Sequence, residues 1–221
     1  MKMKLTEILG VYKVKNKIFT ENHKSCKGIK VYNERLVKYK GIVFRSWNPY
    51  RSKHAAAILN GLSIKINPNS DFLYLGAATG TTVSHISDIL KEGTVFSVES
   101  SPIAVKKLLE VSENRRNIIP ILEDANHPDR YSLIVPIVDI IYQDISQRNQ
   151  AEIFIENSKR YLKKNGIGII MVKSRSIDVS LEPKKAFDLV CSKLEGSGFK
   201  ILNKLNLNPY EKDHAAIMIS L

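Results

Sequence analysis

Cysteine is nearly absent from this sequence, and so are long apolar runs. The two cysteines, Cys26 and Cys191, lie far apart without CxxC spacing, which favours free thiols in a reducing cytoplasm over a disulfide or a zinc site. The five histidines lack the spacing to Cys, Asp or Glu that a metal centre needs, so no metal site is predicted. No apolar run approaches the roughly 18 residues of a membrane span, and residues 1–7 hold no apolar core of a signal peptide. We therefore expect a cytoplasmic protein with no membrane partner.

Acidic residues are scarce in the first part of the chain. Residues 1–65 hold 15 Lys and Arg against 3 Asp and Glu, whereas residues 66–221 hold 19 of each sign. The whole net charge of +12 therefore lies in the first 65 residues. One explanation is a solvated lysine-rich face of the kind found in thermophilic proteins, but so few carboxylates cannot form ion-pair networks. We favour a surface that contacts the polyanionic backbone of a nucleic acid.

Glycine is also sparse, and two of the 11 glycines bracket a loop after the short apolar run 72–75. That run is typical of a strand buried on both faces, and apolar residues then recur at helical spacing over residues 83–90. Strand, glycine loop and helix together form the opening of a nucleotide-type site. The same arrangement in other proteins sometimes serves only to reverse the chain.

The loop departs from two well-known fingerprints. Its glycines, Gly76 and Gly80, run Gly-x-x-x-Gly, with Ala78 in place of the second glycine that a dinucleotide requires. It also lacks the Gly-Lys-Ser/Thr of a P-loop. The loop therefore suits a ligand without phosphate, such as S-adenosylmethionine, better than NAD or a nucleoside triphosphate.

The hydrophobic periodicity predicts a small β module followed by an α/β domain. Hairpin patterns surround Lys15-Asn16 and Lys40-Gly41, with a further extended segment at 30–32. The aromatic residues of this module are interpreted as its core rather than as a base-stacking platform. Beyond it, strands and helices alternate, which predicts a doubly wound, mostly parallel, Rossmann-like sheet. We assign residues 1–50 to the basic module and residues 51–221 to the main domain.

The predicted elements of the main domain follow a regular order. Helices are predicted at 54–62, 83–90, 102–111, 151–162 and 183–194, and strands at 72–75, 94–98, 118–122, 137–142, 166–172, 199–207 and 215–220. The run 118–122 is interpreted as a buried strand.

Four charged residues fall at the ends of predicted strands, where ligands bind in open α/β sheets. They are Glu99, Asp124, Asp144 and Lys173. Glu99 lies 23 residues after Gly76, a position at which a carboxylate accepts hydrogen bonds from a ribose diol. Asp124, followed by the small Ala125, is placed to receive an adenine amino group. Lys173 follows seven uncharged residues and therefore lies at the rim of a buried strand.

The chain resembles the archaeal fibrillarin family over nearly its whole length. The motifs that carry the resemblance are Arg45-Ser46-Trp47-Asn48-Pro49, Arg51-Ser52-Lys53, the stretch from Leu73 to His85, residues 117–120, Glu123-Asp124-Ala125, residues 172–178 and the stretch from Pro209 to Ala215. The departures are Thr79 in place of a usual serine and Arg148-Asn149 in place of a usual Pro-Asp.

The resemblance implies a class I S-adenosylmethionine-dependent methyltransferase sheet. It implies ribose 2′-O-methylation of rRNA, and of tRNA as a second substrate, directed by a box C/D guide RNA. The implied partners are a Nop-type scaffold protein, a kink-turn-binding protein, the guide RNA and the target RNA. The implied cofactor contacts are Gly76, Ala78, Gly80, Thr81, Thr82, Glu99, Ser100, Asp124, Ala125, Asp144, Ile145, Ser146 and Gln147.

The implied catalytic constellation consists of Lys53, Asp144, Lys173 and His214. A lysine takes a proton near neutral pH only if burial or a neighbouring cation lowers its ordinary pKa of about 10.4. Our hypothesis is that Lys173 takes the proton of the ribose hydroxyl and Asp144 positions it, while Lys53 and His214 hold the nucleotide or adjust the charge. Sequence alone leaves open which lysine is the base. Two alternatives remain, namely a non-catalytic RNA-binding subunit with the same fold and a nucleotide-dependent oxidoreductase.

Overall fold

The computed structural model describes residues 3–26 and 28–221. The N-terminal sheet has five antiparallel strands in the order β1-β2-β3-β5-β4. They are β1 (Lys4–Leu5), β2 (Val11–Val14), β3 (Lys17–Glu21), β4 (Leu36–Tyr39) and β5 (Ile42–Trp47). Both predicted hairpins are confirmed, and their turns use positive φ angles at Lys15 and Lys40. The two-residue strand β1 has too short a pattern to be predicted.

The extended segment predicted at residues 30–32 is wrong. The backbone N–H groups of Val31 and Tyr32 donate to the carboxylate of Glu34 at 2.8–3.1 Å, so they pair with no neighbouring strand. Glu34 is itself held by Arg45 of β5. A carboxylate that replaces a strand partner leaves no periodic signal in the sequence.

The second sheet has seven strands in the order β11-β12-β10-β9-β6-β7-β8. They are β6 (Phe72–Leu75), β7 (Val95–Glu99), β8 (Ile118–Leu122), β9 (Val138–Gln143), β10 (Leu162–Lys173), β11 (Lys200–Asn206) and β12 (His214–Ser220). Strands β6 to β10 are parallel, and β12 runs antiparallel to β10 and β11. The predicted doubly wound, mostly parallel sheet is confirmed.

Six α-helices connect these strands. They are α1 (Lys53–Leu59), α2 (Thr81–Ile89), α3 (Pro102–Glu113), α4 (Gln150–Tyr161), α5 (Ser174–Ile177) and α6 (Pro183–Gly196). The short α5 was not predicted, and the others lie where the apolar spacing placed them. Within the described residues, no helix combines the length and apolar character needed to cross a membrane.

Strand β6 lies at the centre of the core, as its apolar run predicts. Phe72 and Tyr74 pack on one face with α2 and the N-terminal sheet, while Leu73 and Leu75 pack on the other face with α4 and α6. The strand predicted at 118–122 is confirmed as β8, but its predicted burial is wrong, because β8 is an edge strand with only Ile118 and Ile121 buried. Leu122 is 50% exposed there. Apolar composition alone did not reveal the position of a strand within its sheet.

A junction cluster of four buried charged residues joins the two sheets. It consists of Glu34, Arg45, Asp88 and Arg115. Arg45 of β5 binds Glu34 at 2.6 Å and Asp88 of α2 at 2.8 Å, and Arg115 binds Asp88 at 2.7 Å. Burial raises the pKa of the Asp88 carboxyl, but the guanidiniums of Arg115 and Arg45 outweigh it, and the pKa lies below its usual value. The division of the chain after residue 50 stays a prediction, since this junction packs both parts together.

Candidate active site

A cavity of about 250 Å³ opens at the carboxyl ends of β6, β7, β8 and β9. The strand order reverses between β6 and β9, which is where open α/β sheets bind ligands. The lining residues are Gly76, Ala78, Val98, Glu99, Ser100, Glu123, Asp124, Ala125, Asp144, Ile145, Ser146 and Gln147. A larger groove of about 720 Å³ lies between the N-terminal sheet and α1, but it contains none of the residues at these strand ends.

The lining of this cavity is acidic. It includes four carboxylates, those of Glu99, Glu123, Asp124 and Asp144, and no lysine or arginine. A pyrophosphate bound here would meet four carboxylates and no cationic side chain of the lining, so the cavity disfavours a dinucleotide or a nucleoside triphosphate. The same charge attracts a cationic ligand such as a sulfonium.

The glycine loop approaches the end of β9 very closely. A Cβ atom on Gly76 would lie 2.5 Å from the carbonyl oxygen of Asp144, and its φ of +81° is a conformation that other residues rarely adopt. Gly80, with a φ of +88°, forms the N-cap of α2. The loop therefore needs its first glycine for contact with Asp144 and its second to turn into the helix.

Glu99, the last residue of β7, is oriented by the backbone. One carboxylate oxygen accepts from the N–H of Ala78 at 2.9 Å, and the other accepts from the N–H of Ser101 at 2.9 Å. Each oxygen retains a second lone pair. The carboxylate is thus fixed at the cavity wall with acceptor capacity left for a diol.

Asp124 is fixed by a residue that the sequence did not single out. The backbone N–H and the side-chain amide of Asn126 both donate to Asp124, and these hydrogen bonds lower the pKa of its carboxyl. The same amide donates to Gln147 at 3.0 Å, across the cavity mouth. The sequence analysis did not identify Asn126 as a site residue, although an Asn two residues after an Asp is a turn signal. Glu123 was also missed as a lining residue.

Three predicted cofactor contacts lie outside the lining of this cavity as the described residues form it. They are Gly80, Thr81 and Thr82. The Thr82 hydroxyl donates to the hydroxyl of Ser52 at 2.9 Å, and Ser52 in turn caps the N-terminus of α1. In this structure Thr82 therefore links the glycine loop to the helix that carries Lys53.

Lys53 and Asp144 form an ion pair beside the cavity. The Lys53 ammonium lies 2.8 Å from a carboxylate oxygen of Asp144, and each side chain is about one-fifth exposed. Lys53 begins α1, and Asp144 directly follows β9. Since Asp144 also lines the cavity, the predicted catalytic residues Lys53 and Asp144 lie directly beside the predicted cofactor site.

Lys173 and His214 lie opposite each other on β10 and β12. Residues directly opposite on antiparallel strands present their side chains on the same face. The His214 Nδ1 donates to the carbonyl oxygen of Lys212 at 2.6 Å, which leaves Nε2 available to a substrate. The backbone N–H of Lys173 donates to the buried side chain of Gln150 at 3.2 Å. Gln150 is a further support that no sequence signal marked.

The predicted contact between Asp144 and Lys173 is not formed in this structure. Within residues 3–26 and 28–221, no carboxylate lies within 4.0 Å of the Lys173 ammonium, and Asp144 binds Lys53 instead. The four predicted catalytic residues thus form two pairs at the same edge of the sheet. Their chemical roles stay predictions.

An aromatic column supports the helix that carries Lys53. It consists of His85, Trp47, His54, Tyr142 and Tyr74, with successive ring centroids 4.8, 5.5, 5.1 and 4.6 Å apart. Burial lowers the pKa of His54 to about 3, so this ring is neutral at physiological pH. The column runs from α2 through β5 and α1 to β9 and β6. The column therefore connects the junction cluster to α1 and β9, the elements that position Lys53 and Asp144.

Comparison with known proteins agrees with this geometry. A family model described as fibrillarin matches residues 2–221. A relative from Methanothermobacter thermautotrophicus, named fibrillarin-like rRNA/tRNA 2′-O-methyltransferase, is 48% identical over 95% of this chain and 93% of its own. Two solved structures superpose with a TM-score of 0.88. One is a fibrillarin/Nop5p complex (44% identical, 96% of this chain and 98% of that one), and the other is Aeropyrum pernix fibrillarin with natively bound S-adenosyl-L-methionine (38%, 99% and 98%). This chain belongs to the fibrillarin family.

Proposed function

We propose that this protein transfers a methyl group from S-adenosylmethionine to the 2′-hydroxyl of a ribose in rRNA or tRNA. The observation that carries the proposal is the double role of Asp144, which lines the acidic cavity and binds Lys53. A ligand in the cavity therefore lies next to Lys53, at the edge of the sheet where Lys173 and His214 also lie. The name of the Methanothermobacter relative supports the same reaction.

The residues of the cavity fit S-adenosylmethionine. Glu99 accepts from the ribose diol, and Asp124 with Ala125 receives the adenine amino group beside a space left by a small side chain. The loop from Gly76 to Gly80 and the turn from Asp144 to Gln147 enclose the amino-acid end. Four carboxylates favour a ligand that carries a positive sulfonium. When bound, S-adenosylmethionine supplies the methyl group and a neutral thioether leaving group.

The predicted catalytic residues act on the target ribose. Lys173 takes the proton of the 2′-hydroxyl, which makes the oxygen nucleophilic. Asp144 holds Lys53 beside the cavity. In the reaction, Asp144 also positions Lys173. Lys53 and His214 hold the target nucleotide, His214 through its available Nε2. Positioning of the hydroxyl in line with the methyl group accounts for much of the rate, since such a displacement needs close alignment.

A larger particle selects the target. The fibrillarin/Nop5p structure supports a Nop-type scaffold protein as a partner. A kink-turn-binding protein and a box C/D guide RNA complete the particle, as the resemblance to the family implies. The basic residues of the N-terminal sheet are mostly exposed and contact RNA or the scaffold. The particle acts in the cytoplasm.

The test is transfer of labelled methyl from S-adenosylmethionine to a target RNA paired with a box C/D guide, with all partners present. Label at the guided ribose, together with resistance of that linkage to alkaline cleavage, is expected. Cofactor binding without any transfer by the assembled particle would favour the alternative of a non-catalytic RNA-binding subunit. Failure to bind the cofactor, with NADH bound instead, would point to an oxidoreductase.

A further inference from the structure

Two tyrosines meet at the rim of the candidate active site. The rings of Tyr50 and Tyr210 lie 5.4 Å apart with an interplanar angle of 70°. Tyr50 lies three residues before Lys53, and Tyr210 lies four residues before His214. The contact therefore joins the two segments that lead into these proposed catalytic residues.

The backbone fixes the position of this pair. The side chain of Asn48 accepts from the backbone N–H of Tyr50 at 2.9 Å, which closes a turn before α1. On the other side, the amide of Asn60 donates to the carbonyls of Asn206 and Asn208 at 2.8 Å each. These bonds tie the C-terminal end of α1 to the loop that carries Tyr210. The two rings are thus held by the fold and not only by each other.

Tyr50 is unusual in its exposure. The chain has 17 aromatic side chains, all within the described residues, and Tyr50 is the most exposed of them, at 64%. Its edge-to-face contact with Tyr210 leaves a ring face open to solvent. Core packing accounts for the other aromatic residues of this region, such as Phe44 and Trp47, but not for Tyr50.

Basic side chains flank the pair. Arg51 and Lys212 follow the two tyrosines by one and two residues, and both are exposed. Neither forms an ion pair with a carboxylate in the described part of the chain. The Arg51 guanidinium lies over the ring of Tyr32, 5.3 Å from its centroid, but no carboxylate neutralises its charge. Open aromatic rings beside such cations are typical of surfaces that bind unpaired nucleotides, because bases stack on the rings while the cations contact phosphates.

We propose that Tyr50, buttressed by Tyr210, stacks on a nucleotide of the target RNA next to the methylated ribose. This proposal rests on the proposed function, since it assigns a binding role at the same site. Stacking would limit the movement of the target strand while its 2′-hydroxyl meets Lys173. Tyr50 is a substrate-binding residue in this account, and it takes no part in proton transfer.

The test uses the assembled particle with Tyr50→Ala, Tyr50→Phe and Tyr210→Ala. Tyr39→Ala is the matched control, because Tyr39 is a partly exposed tyrosine on the β4–β5 hairpin. Tyr50→Ala is expected to raise the target-RNA concentration for half-maximal transfer at least fivefold, a loss in line with removal of one stacked base. Tyr50→Phe is expected to stay within twofold of wild type, because stacking needs the ring and not the hydroxyl.

A second readout does not depend on chemistry. A target RNA with 2-aminopurine beside the methylated nucleotide is expected to lose fluorescence on binding to wild type and to recover it with Tyr50→Ala. If wild type transfers no methyl group but quenches this probe, the proposed function fails and the stacking proposal stands. Equal affinity and equal quenching for Tyr50→Ala and wild type would overturn the stacking proposal. So would a loss explained by weaker binding of the scaffold protein, which would assign the pair to a protein interface.

Discussion

Asp88 and Asp144 both bind basic side chains, but water reaches only one of these two carboxylates. Asp88 is fully buried between Arg45 and Arg115, whereas the side chain of Asp144 is about one-fifth exposed beside Lys53. Asp88 joins two sheets through residues that a ligand cannot reach. Asp144 lies at a cavity, where its partner and its carboxylate are both accessible.

The difference shows that an ion pair of a carboxylate can stabilise the fold when it is buried and can serve a binding site when it is partly exposed. A buried carboxylate that loses its partners, or a buried guanidinium that loses its carboxylate, is left as an uncompensated charge in a medium that solvates it poorly. The junction cluster is therefore needed for stability. A partly exposed pair contributes about 0–1 kcal/mol to stability because water competes for both groups. The Lys53–Asp144 pair is thus free to change partners when a substrate binds.

The largest expected effect is that of Asp88→Ala. It leaves the buried guanidinium of Arg115 without a carboxylate and that of Arg45 with Glu34 alone, so the free energy of unfolding should fall by about 3–5 kcal/mol. Urea unfolding followed by circular dichroism measures this. Asp144→Ala is the matched variant and should lose no more than about 1 kcal/mol. Equal losses for the two variants would contradict the distinction between the clusters.

Lys173→Ala should reduce the rate of methyl transfer by about 10²–10⁴-fold, which is the usual contribution of a general base. Single-turnover transfer in the assembled particle measures this rate. Cofactor affinity and the free energy of unfolding should stay unchanged, because Lys173 forms no ion pair in the described structure. Lys164→Ala is the control, since Lys164 is an exposed lysine near the opposite end of the same strand. Retained activity would remove Lys173 from its proposed role.

Acid should weaken the aromatic column through His54. Burial lowers the pKa of His54 to about 3, against about 6.5 in an unfolded chain. Between these values the unfolded state binds a proton that the folded state does not, so stability is complete above about pH 6.5 and falls as the pH decreases toward 3. His54 alone should contribute a loss of about 1.4 kcal/mol per pH unit.

Urea unfolding between pH 6.5 and 5 measures this slope before most carboxylates titrate. His85, whose pKa burial also lowers well below the usual value, adds to the same slope. His54→Gln should remove the contribution of His54 to the fall of the free energy of unfolding with decreasing pH, whatever its effect on stability at neutral pH. A slope that His54→Gln leaves unchanged would contradict a neutral buried His54.

The smallest expected effect is that of Glu99→Gln on cofactor binding. An amide offers only one acceptor oxygen, so one of the N–H groups of Ala78 and Ser101 would face an NH₂ group. The dissociation constant of S-adenosylmethionine, measured by calorimetry, should rise about tenfold, which equals about 1.4 kcal/mol. Glu113→Gln, on exposed α3, should leave it unchanged. An unaltered constant for Glu99→Gln would exclude the ribose role.

Much of the fold was predictable because it depends on short-range patterns. Local patterns of apolar residues predict both hairpins, most of the helices and the strands around 72–75 and 94–98. Such patterns involve only residues that are close in the sequence. The same holds for the glycine loop and for the charged residues at strand ends. The edge position of β8 and the loop at 30–32 were not predictable, because each depends on a neighbour supplied by another part of the chain.

The order of residues along the chain sets which residue types follow each strand, and therefore the composition of the candidate site. Which of these residues bind each other depends on the packing of the whole fold. Lys53 and Asp144 are 91 residues apart, and Arg45 and Asp88 are 43 residues apart, so no local pattern couples them. The order of the strands brings these partners together. That order buries apolar faces from distant segments against each other, which is a property of the packed molecule and not of any segment of it.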